Sequence, residues 1–330
     1  MLEERSRLQG NKERQINGCE TLAFPTIGIV LLGGVSDSSK RYPLHNSAGI
    51  AYTSEELDIY TRTRVFYAKE PSVTINGNRV DPVDPRAPFH LLSRYTSGSA
   101  KVKRNLSVYS QNNGIISGSS DAGAAALAKA AQEMFCISDI QSLENDFRSI
   151  SESVGRSLHG GLTVTEIVNG IPITTRLLGP EDFSNFVIIA FMFSTTRNPS
   201  DTIHSNIVKS PNYGNRISST GKKCMNLKEL AAKKDVKGIF ELAMNDTDEY
   251  HSLLESVGVH VISDEMRDLI KRLKKQSGDF WRAYIVTGGT NVFVATERQN
   301  ASKLQEMANS LNVPNKKLVV AGAARVYIDF

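Results

Sequence analysis

Apolar residues along this chain fall into short runs bounded by turn signals, with a few longer stretches of helical period. Ile27 to Leu32 is a compact apolar run rich in β-branched residues and stopped by Gly33-Gly34, which predicts a buried strand. Arg64 to Tyr67 and Val73 to Ile75 predict two more strands. Asn76-Gly77 before Val80 predicts a hairpin, because both turn residues must tolerate positive φ. Asp81 to Pro88, with Pro82 and Pro85 inside it, reads as a loop, and Leu106 to Tyr109 as a strand. The alanine-rich stretch from Ala122 to Met134 strongly favours helix. Ser138-Asp139 signals a further helix, expected to run to about Leu158 and to end at Gly160-Gly161. A second hairpin is expected from Leu162 to Val168 and Ile171 to Leu177, across Asn169-Gly170.

The second half opens on Phe186 to Phe193, an expected central strand. Arg197-Asn198-Pro199-Ser200-Asp201 reads as a turn that caps a helix. Further helices are expected at about 226–245 and 248–257, and an amphipathic helix with a basic face from Asp264 to Lys275. Trp281 to Val286 and Val292 to Thr296 predict strands around the tight loop Thr287-Gly288-Gly289-Thr290-Asn291. Ala301 to Ser310 predicts a helix, and Lys317 to Val320 the start of a last strand. Hairpins and helices mix without βαβ alternation, so the expected fold class is α+β. Residues 1–18 are polar and read as a tail. Pro180 to Ser184 reads as a seam between domains at 19–183 and 184–330.

Composition narrows the function classes. The chain has 330 residues and a net charge of +4, too small to argue for nucleic-acid binding, which usually shows a clustered basic face. The basic run Lys101-Val102-Lys103-Arg104 is short and reads as a solvated segment. Cys19, Cys136 and Cys224 form no C-x-x-C pair, which argues against a disulfide framework or structural zinc and fits a reducing cytoplasm. The N-terminus lacks the apolar core of a signal peptide, and the run from Phe186 to Phe193 is too short to span a bilayer. The six histidines are dispersed, without metal-ligand spacing.

Four segments carry candidate chemistry. Ser117-Gly118-Ser119-Ser120-Asp121 feeds small residues directly into a helix N-terminus, where unpaired amides, the helix dipole and serine hydroxyls suit a polyphosphate and its magnesium. The bland alternative is a flexible connection capped by Ser120 or Asp121. It is not a Walker A loop, for no Gly-Lys-Ser/Thr follows. Glu152, Ser153 and Arg156 share one side of the expected helix. There a carboxylate can orient a substrate hydroxyl and a guanidinium can clamp a substrate carboxylate, or the two form a plain surface ion pair. Arg197 stands at a strand end, where ligand contacts concentrate. The Gly288-Gly289 loop satisfies a hairpin or lets backbone approach a ligand.

Taken together, these segments resemble the GHMP kinase superfamily, in the branch that contains diphosphomevalonate decarboxylase. The resemblance covers the chain from about Thr21 onward. It rests on Ala23 to Leu32, on Ser117 to Gly123, on Ser151 to Ser157, and on Thr287 to Asn291. Within that branch the chain looks most like the archaeal mevalonate 3-kinases, through Pro25 to Gly34, the run Arg197-Asn198-Pro199-Ser200-Asp201-Thr202-Ile203-His204, and Tyr284 to Gly289. The resemblance implies a GHMP fold with a ribosomal-protein-like N-terminal part and a ferredoxin-like C-terminal part, ATP and magnesium as cofactors, and a homodimer.

Two departures bear on the reaction. The decarboxylase pattern has a lysine where this chain has Leu31 and an aspartate where it has Thr287. The expected outcome is phosphorylation of the tertiary 3-hydroxyl of mevalonate that stops at the 3-phosphate, because phosphoryl transfer depends on positioning more than on a strong base. By the resemblance, Ser117, Gly118, Ser119, Ser120 and Asp121 hold the nucleotide phosphates, with Ser120 near magnesium. Glu152 and Arg197 orient mevalonate, Arg156 pairs with its carboxylate, and Ser153 supports them. Leu31 shapes an apolar wall, and Thr287 lines the reacting centre. The rival readings are a decarboxylase of a mevalonate phosphate, phosphorylation of another 3-hydroxy acid, and a non-catalytic kinase-fold protein that binds metabolites.

Overall fold

Where the chain reads as short strands it forms two sheets, and the helices cover them. The computed structural model describes residues 17–36, 39–81, 88–96, 105–194, 198–275 and 279–329. Its first elements are β1 (Gly18–Ala23), β2 (Thr26–Val30), β3 (Ser47–Thr53), β4 (Tyr60–Ala68), β5 (Ser72–Ile75) and β6 (Asn78–Val80). Then come α1 (Pro88–Thr96), β7 (Asn105–Asn113), α2 (Ser119–Met134), α3 (Ile140–Phe147), α4 (Val154–His159), β8 (Leu162–Val168) and β9 (Ile171–Leu178). The second half holds β10 (Phe186–Met192), α5 (Ser200–Ile207), α6 (Tyr213–Ala232), α7 (Val236–Glu255) and α8 (Asp264–Lys275). The chain closes with β11 (Arg282–Val286), β12 (Asn291–Glu297), α9 (Ala301–Ser310), β13 (Asn315–Val320) and β14 (Arg325–Asp329).

One sheet runs β14-β1-β4-β7-β5-β6, and the other runs β11-β12-β10-β13-β3-β8-β9, with β2 paired to β3 beside that path. The pairing is antiparallel except for β5 with β7. Strand β10 is interior, as its apolar run predicts. Both halves share the sheets: β13 pairs β3, and β14 pairs β1. Helix α2 packs on β1, β4 and α4. Its buried alanines remove bulk from that face, so the Thr21 hydroxyl on β1 reaches the Ala126 carbonyl at 2.6 Å.

Both Asn-Gly hairpins form, with left-handed φ at Asn76, Gly77, Asn169 and Gly170. Elsewhere the chain departs from the pattern. The helix expected up to Leu158 is two helices. Asp139 caps α3 by accepting from the Ser142 amide at 3.0 Å, and α3 ends at Phe147. Between α3 and α4, polar side chains take partners outside any helix. Ser151 donates to Asp121 at 2.7 Å, and Arg148 donates to the Glu152 carbonyl.

The helices expected at 226–245 and 248–257 are α6 and α7, offset towards the N-terminus. They break at Lys234, which adopts φ 53°, and Asp235 caps α7 on the Gly238 amide. Strands β1 and β14 and helix α1 carried too little periodicity to be foreseen in full. No helix among the described residues is long and apolar enough to cross a membrane. The expected tail up to Ile16, most of the proline-rich loop, the run Lys101 to Arg104, and Arg197 lie outside the described residues.

Candidate active site

Three expected segments meet in one cleft of about 690 Å³: the end of β2, the first turn of α2 and the start of α4. The first turn of α5 and the β11–β12 loop close it. Leu31, Ser117, Gly118, Ser120, Asp121, Glu152, Ser153, Arg156 and Thr287 all line it.

One wall is the loop into α2. Gly118 has φ 76°, and a Cβ there would sit 2.7 Å from the backbone N and O of Thr26, so only glycine fits. The first intrahelical bond runs from the Ala122 amide to the Gly118 carbonyl, and no side chain caps the helix. The amides of Ser119 to Asp121 therefore have no partner within the helix. The loop is fixed from behind by Tyr52, whose hydroxyl accepts from the Ser117 amide at 2.9 Å and donates to its carbonyl at 2.7 Å. Burial pushes the Tyr52 phenol pKa up, so it stays protonated.

Asp121 turns its carboxylate inward, accepting from the Thr26 and Ser151 hydroxyls. Burial raises its pKa against the pull of Arg156. That carboxylate would repel phosphate, so its place in the loop is fixation rather than anion contact. Ser120 borders a second cavity on the other side of the first turn, where Ser119, Gly123, Leu127, Val108 and Asn112 face about 720 Å³ of space.

The opposite wall is the chain after β2, where side chains satisfy the backbone in sequence. The Leu31 amide donates to Asp246 at 2.7 Å, and Arg216 donates to the Leu31 carbonyl at 2.6 Å. Tyr250 and Tyr213 donate to the carbonyls of Leu32 and Gly33. The amides of Gly33 and Gly34 donate to His45 Nε2 and His204 Nδ1, each at 3.1 Å.

Glu152 belongs to the same wall. Its Oε2 accepts from Arg41 Nη2 at 2.7 Å and Nε at 3.2 Å, and its Oε1 accepts from His204 Nε2 at 3.0 Å. Burial alone would raise the Glu152 pKa. The His204 hydrogen bond and the Arg41 guanidinium outweigh that and hold the carboxyl well below the usual range.

Arg156 is the counterexample. Its side chain is almost wholly buried, yet Nε and Nη2 have no hydrogen-bond partner among the described residues. Gly49 makes its room, since a Cβ there would lie 2.5 Å from Arg156 Cδ. Ser153 precedes α4 as its N-cap residue and is buried beside it. Across the cleft the Thr287 hydroxyl lies 3.3 Å from that of Ser117. The loop is held at both ends: His251 donates to the Val286 carbonyl at 2.8 Å, and Asn291 donates to the Ile116 carbonyl at 3.2 Å.

Glu152, Ser153 and Arg156 thus converge as expected, but not from one helix face. Glu152 sits in the turn before α4, and its partners are Arg41 and His204 rather than Arg156. The surface ion pair of sequence reasoning does not exist. Arg41, Asp201, His204 and Tyr250 were not foreseen as site residues. Asp201 and His204 lie inside a run that had carried the family resemblance, whereas nothing local marks Arg41.

Sheet order and cleft define the class first. The solved structure of mevalonate diphosphate decarboxylase from Staphylococcus aureus shares the fold at TM-score 0.80, with 18% identity over 95% of this chain and 98% of that one. A family model for the diphosphomevalonate decarboxylase-like N-terminal domain matches residues 23–169, and one for the mevalonate-3-kinase C-terminal domain matches residues 198–302. Mevalonate-3-kinase of Picrophilus torridus is 46% identical over 93% of this chain and 97% of its own length. The structure of mevalonate-3-kinase from Thermoplasma acidophilum with mevalonate 3-phosphate and ADP bound aligns at TM-score 0.89 and 42% identity, over 96% of this chain and all of that one. Within the GHMP kinases, this chain belongs to the mevalonate-3-kinase family.

Proposed function

We propose that this protein transfers the γ-phosphoryl group of ATP to the tertiary 3-hydroxyl of mevalonate and releases mevalonate 3-phosphate, without decarboxylation, in an archaeal isoprenoid route. The family relationship supports the activity. The observation that carries the chemistry is the cleft itself: open helix amides and a fixed carboxylate face each other, with the neutral side chains of Leu31 and Thr287 beside them.

The nucleotide fits the chain's own groups. Phosphates lie against the amides of Ser119 to Asp121 and the hydroxyls of Ser117, Ser119 and Ser120, while the nucleoside occupies the cavity beyond Gly123. Magnesium fits as an ion that travels with the phosphates and touches Ser120, since the Asp121 and Glu152 carboxylates are already engaged. When bound, it neutralises charge that develops on the transferring group.

Arg156 offers its two partnerless nitrogens to the mevalonate carboxylate, which removes the cost of a buried, unpaired guanidinium. Glu152 orients the 3-hydroxyl, helped by Arg197 and supported by Ser153. Held so far below the usual range, Glu152 is a weak base, so it orients rather than abstracts. A loose phosphoryl transition state tolerates that. Leu31 excludes water from the carbon skeleton, and Thr287 braces the phosphate loop through Ser117.

Gly18 opens β1, so the expected tail does not reach residue 18; we read two domains meeting near residue 184, joined through the shared sheets. We place it in the cytoplasm as a homodimer. Val326 and Ile328, exposed on the outer strand β14, are apolar surface that a second copy would cover. The test of function is incubation with mevalonate and ATP, with the product read by phosphorus–proton correlation NMR. Phosphate on the C3 oxygen is expected. Carbon dioxide release, or phosphate on the 5-hydroxyl, contradicts the reading. ATP binding without turnover would favour a metabolite-binding protein.

A further inference from the structure

Helix α5 opens with Ser200-Asp201-Thr202-Ile203-His204, and nothing in the proposed reaction requires the side chains of Asp201 and His204. Three residues apart, Asp201 and His204 share one face of the helix. Both lead to Glu152. His204 contacts it directly, and Asp201 reaches it through Arg41 Nη1 at 2.9 Å.

The hydrogen bonds fix the imidazole tautomer. The Gly34 amide can only donate, so His204 Nδ1 must accept, and the ring proton sits on Nε2, where it is donated to Glu152 Oε1. Arg41 covers the other oxygen with two donors. An ionised carboxylate has about four acceptor positions. Among the described residues three are filled, and the fourth is on Oε1. Arg41 itself is buried in a left-handed backbone conformation, φ 49°, which a non-glycine residue keeps only where its surroundings hold it.

We propose that His204, with Arg41 and Asp201, is a positioning residue. It locks the Glu152 carboxylate so that its one unfilled acceptor position faces the phosphoryl-acceptor hydroxyl, and it ties that orientation to the Gly33–Gly34 backbone. The consequence for turnover rests on the mevalonate 3-kinase reading, but the geometric claim does not. A purely structural histidine would instead serve only the Gly34 amide.

Two amides separate these roles. In His204→Gln, the amide nitrogen reaches the place of Nε2 and keeps the donor to Glu152. In His204→Asn, only the acceptor for Gly34 is kept, and His204→Leu keeps neither. The expected kcat loss is about 30- to 100-fold for His204→Leu and His204→Asn, with KM for ATP unchanged within about twofold and most of kcat restored in His204→Gln. Recovery by Asn rather than Gln, equal losses in all three variants, or normal turnover in His204→Leu would each overturn the proposal.

Crystal structures of the free variants supply a reading independent of turnover. The Glu152 carboxylate should shift by about 1 Å in His204→Leu and stay in place in His204→Gln. A carboxylate that does not move in His204→Leu overturns the proposal. Wild-type protein that fails to phosphorylate mevalonate defeats the functional reading instead and leaves this geometric test standing.

Discussion

The two walls of the cleft are built on opposite plans. Along the acceptor wall, at Leu31, Gly33 and Gly34 and at all but one acceptor position of Glu152, polar groups are held by protein partners before substrate arrives. On the phosphate wall, the first amides of α2 are open, and between the walls the Arg156 guanidinium has two donors without partners. Saturated groups hold a geometry, whereas open groups wait for charge. The contrast teaches that Glu152 and Arg156, four residues apart and facing one cavity, do different work. In the proposed reaction one is fixed in place to orient a neutral hydroxyl, and the other is left short of partners to bind an anion.

Arg156→Met should break this division most severely. It removes one side of a buried charge pair with the substrate, so kcat/KM for mevalonate should fall by about 1000-fold, roughly 4 kcal/mol, while KM for ATP holds. Steady-state kinetics with each substrate varied will show it. Equal losses towards ATP would mean that Arg156 serves the phosphate wall instead.

Acid should attack the saturated wall next. Burial, reinforced by the charge of Arg216, lowers the His45 pKa from 6.5 to about 4. The unfolded chain binds that proton at higher pH than the folded one, so stability is full above about pH 6.5 and declines as pH falls. The loss by pH 4 is about 3 kcal/mol. Glu152 runs the same way but at lower pH, since its carboxyl is held down and its contribution is lost only in stronger acid. Urea unfolding midpoints at pH 7 and pH 4.5 check this. A flat profile across that range would show that the Gly33 amide does not depend on a neutral imidazole.

Glu152→Gln sharpens the comparison because it keeps the shape and removes the charge. Turnover should fall by about 100-fold through lost alignment. The Arg41 guanidinium would also lose its paired carboxylate, so some loss of stability should accompany it. Unchanged kcat would reduce Glu152 to a partner of Arg41. The smallest effect belongs to Thr287→Val, which deletes one hydroxyl contact to Ser117. About fivefold in kcat or KM for ATP is the expected size, the worth of one net hydrogen bond. A loss rivalling that of Glu152→Gln would place Thr287 at the reacting atoms.

Much of this architecture was legible in the sequence, and the reasons are local. Asn-Gly turns, the alanine-rich α2, and the apolar run of β10 each obey a short-range rule, and the structure follows them. The helix start after the small-residue loop was readable because Ser117 to Asp121 lead straight into the alanine-rich run. What failed to show was set by tertiary contact. The break between α3 and α4 depends on Ser151 reaching Asp121 and Arg148 reaching the Glu152 carbonyl. The break at Lys234 carries neither glycine nor proline. Arg41 is joined to Glu152 across 111 positions, a pairing that no window of sequence contains.

A crystal structure with mevalonate and ADP bound tests the account most directly. The mevalonate carboxylate should lie about 3 Å from Arg156 Nε and Nη2, with the 3-hydroxyl on Glu152 Oε1 and the ADP phosphates at the amides of Ser119 to Asp121. A carboxylate placed away from Arg156, or the 5-hydroxyl in place of the 3-hydroxyl at Glu152, would contradict it.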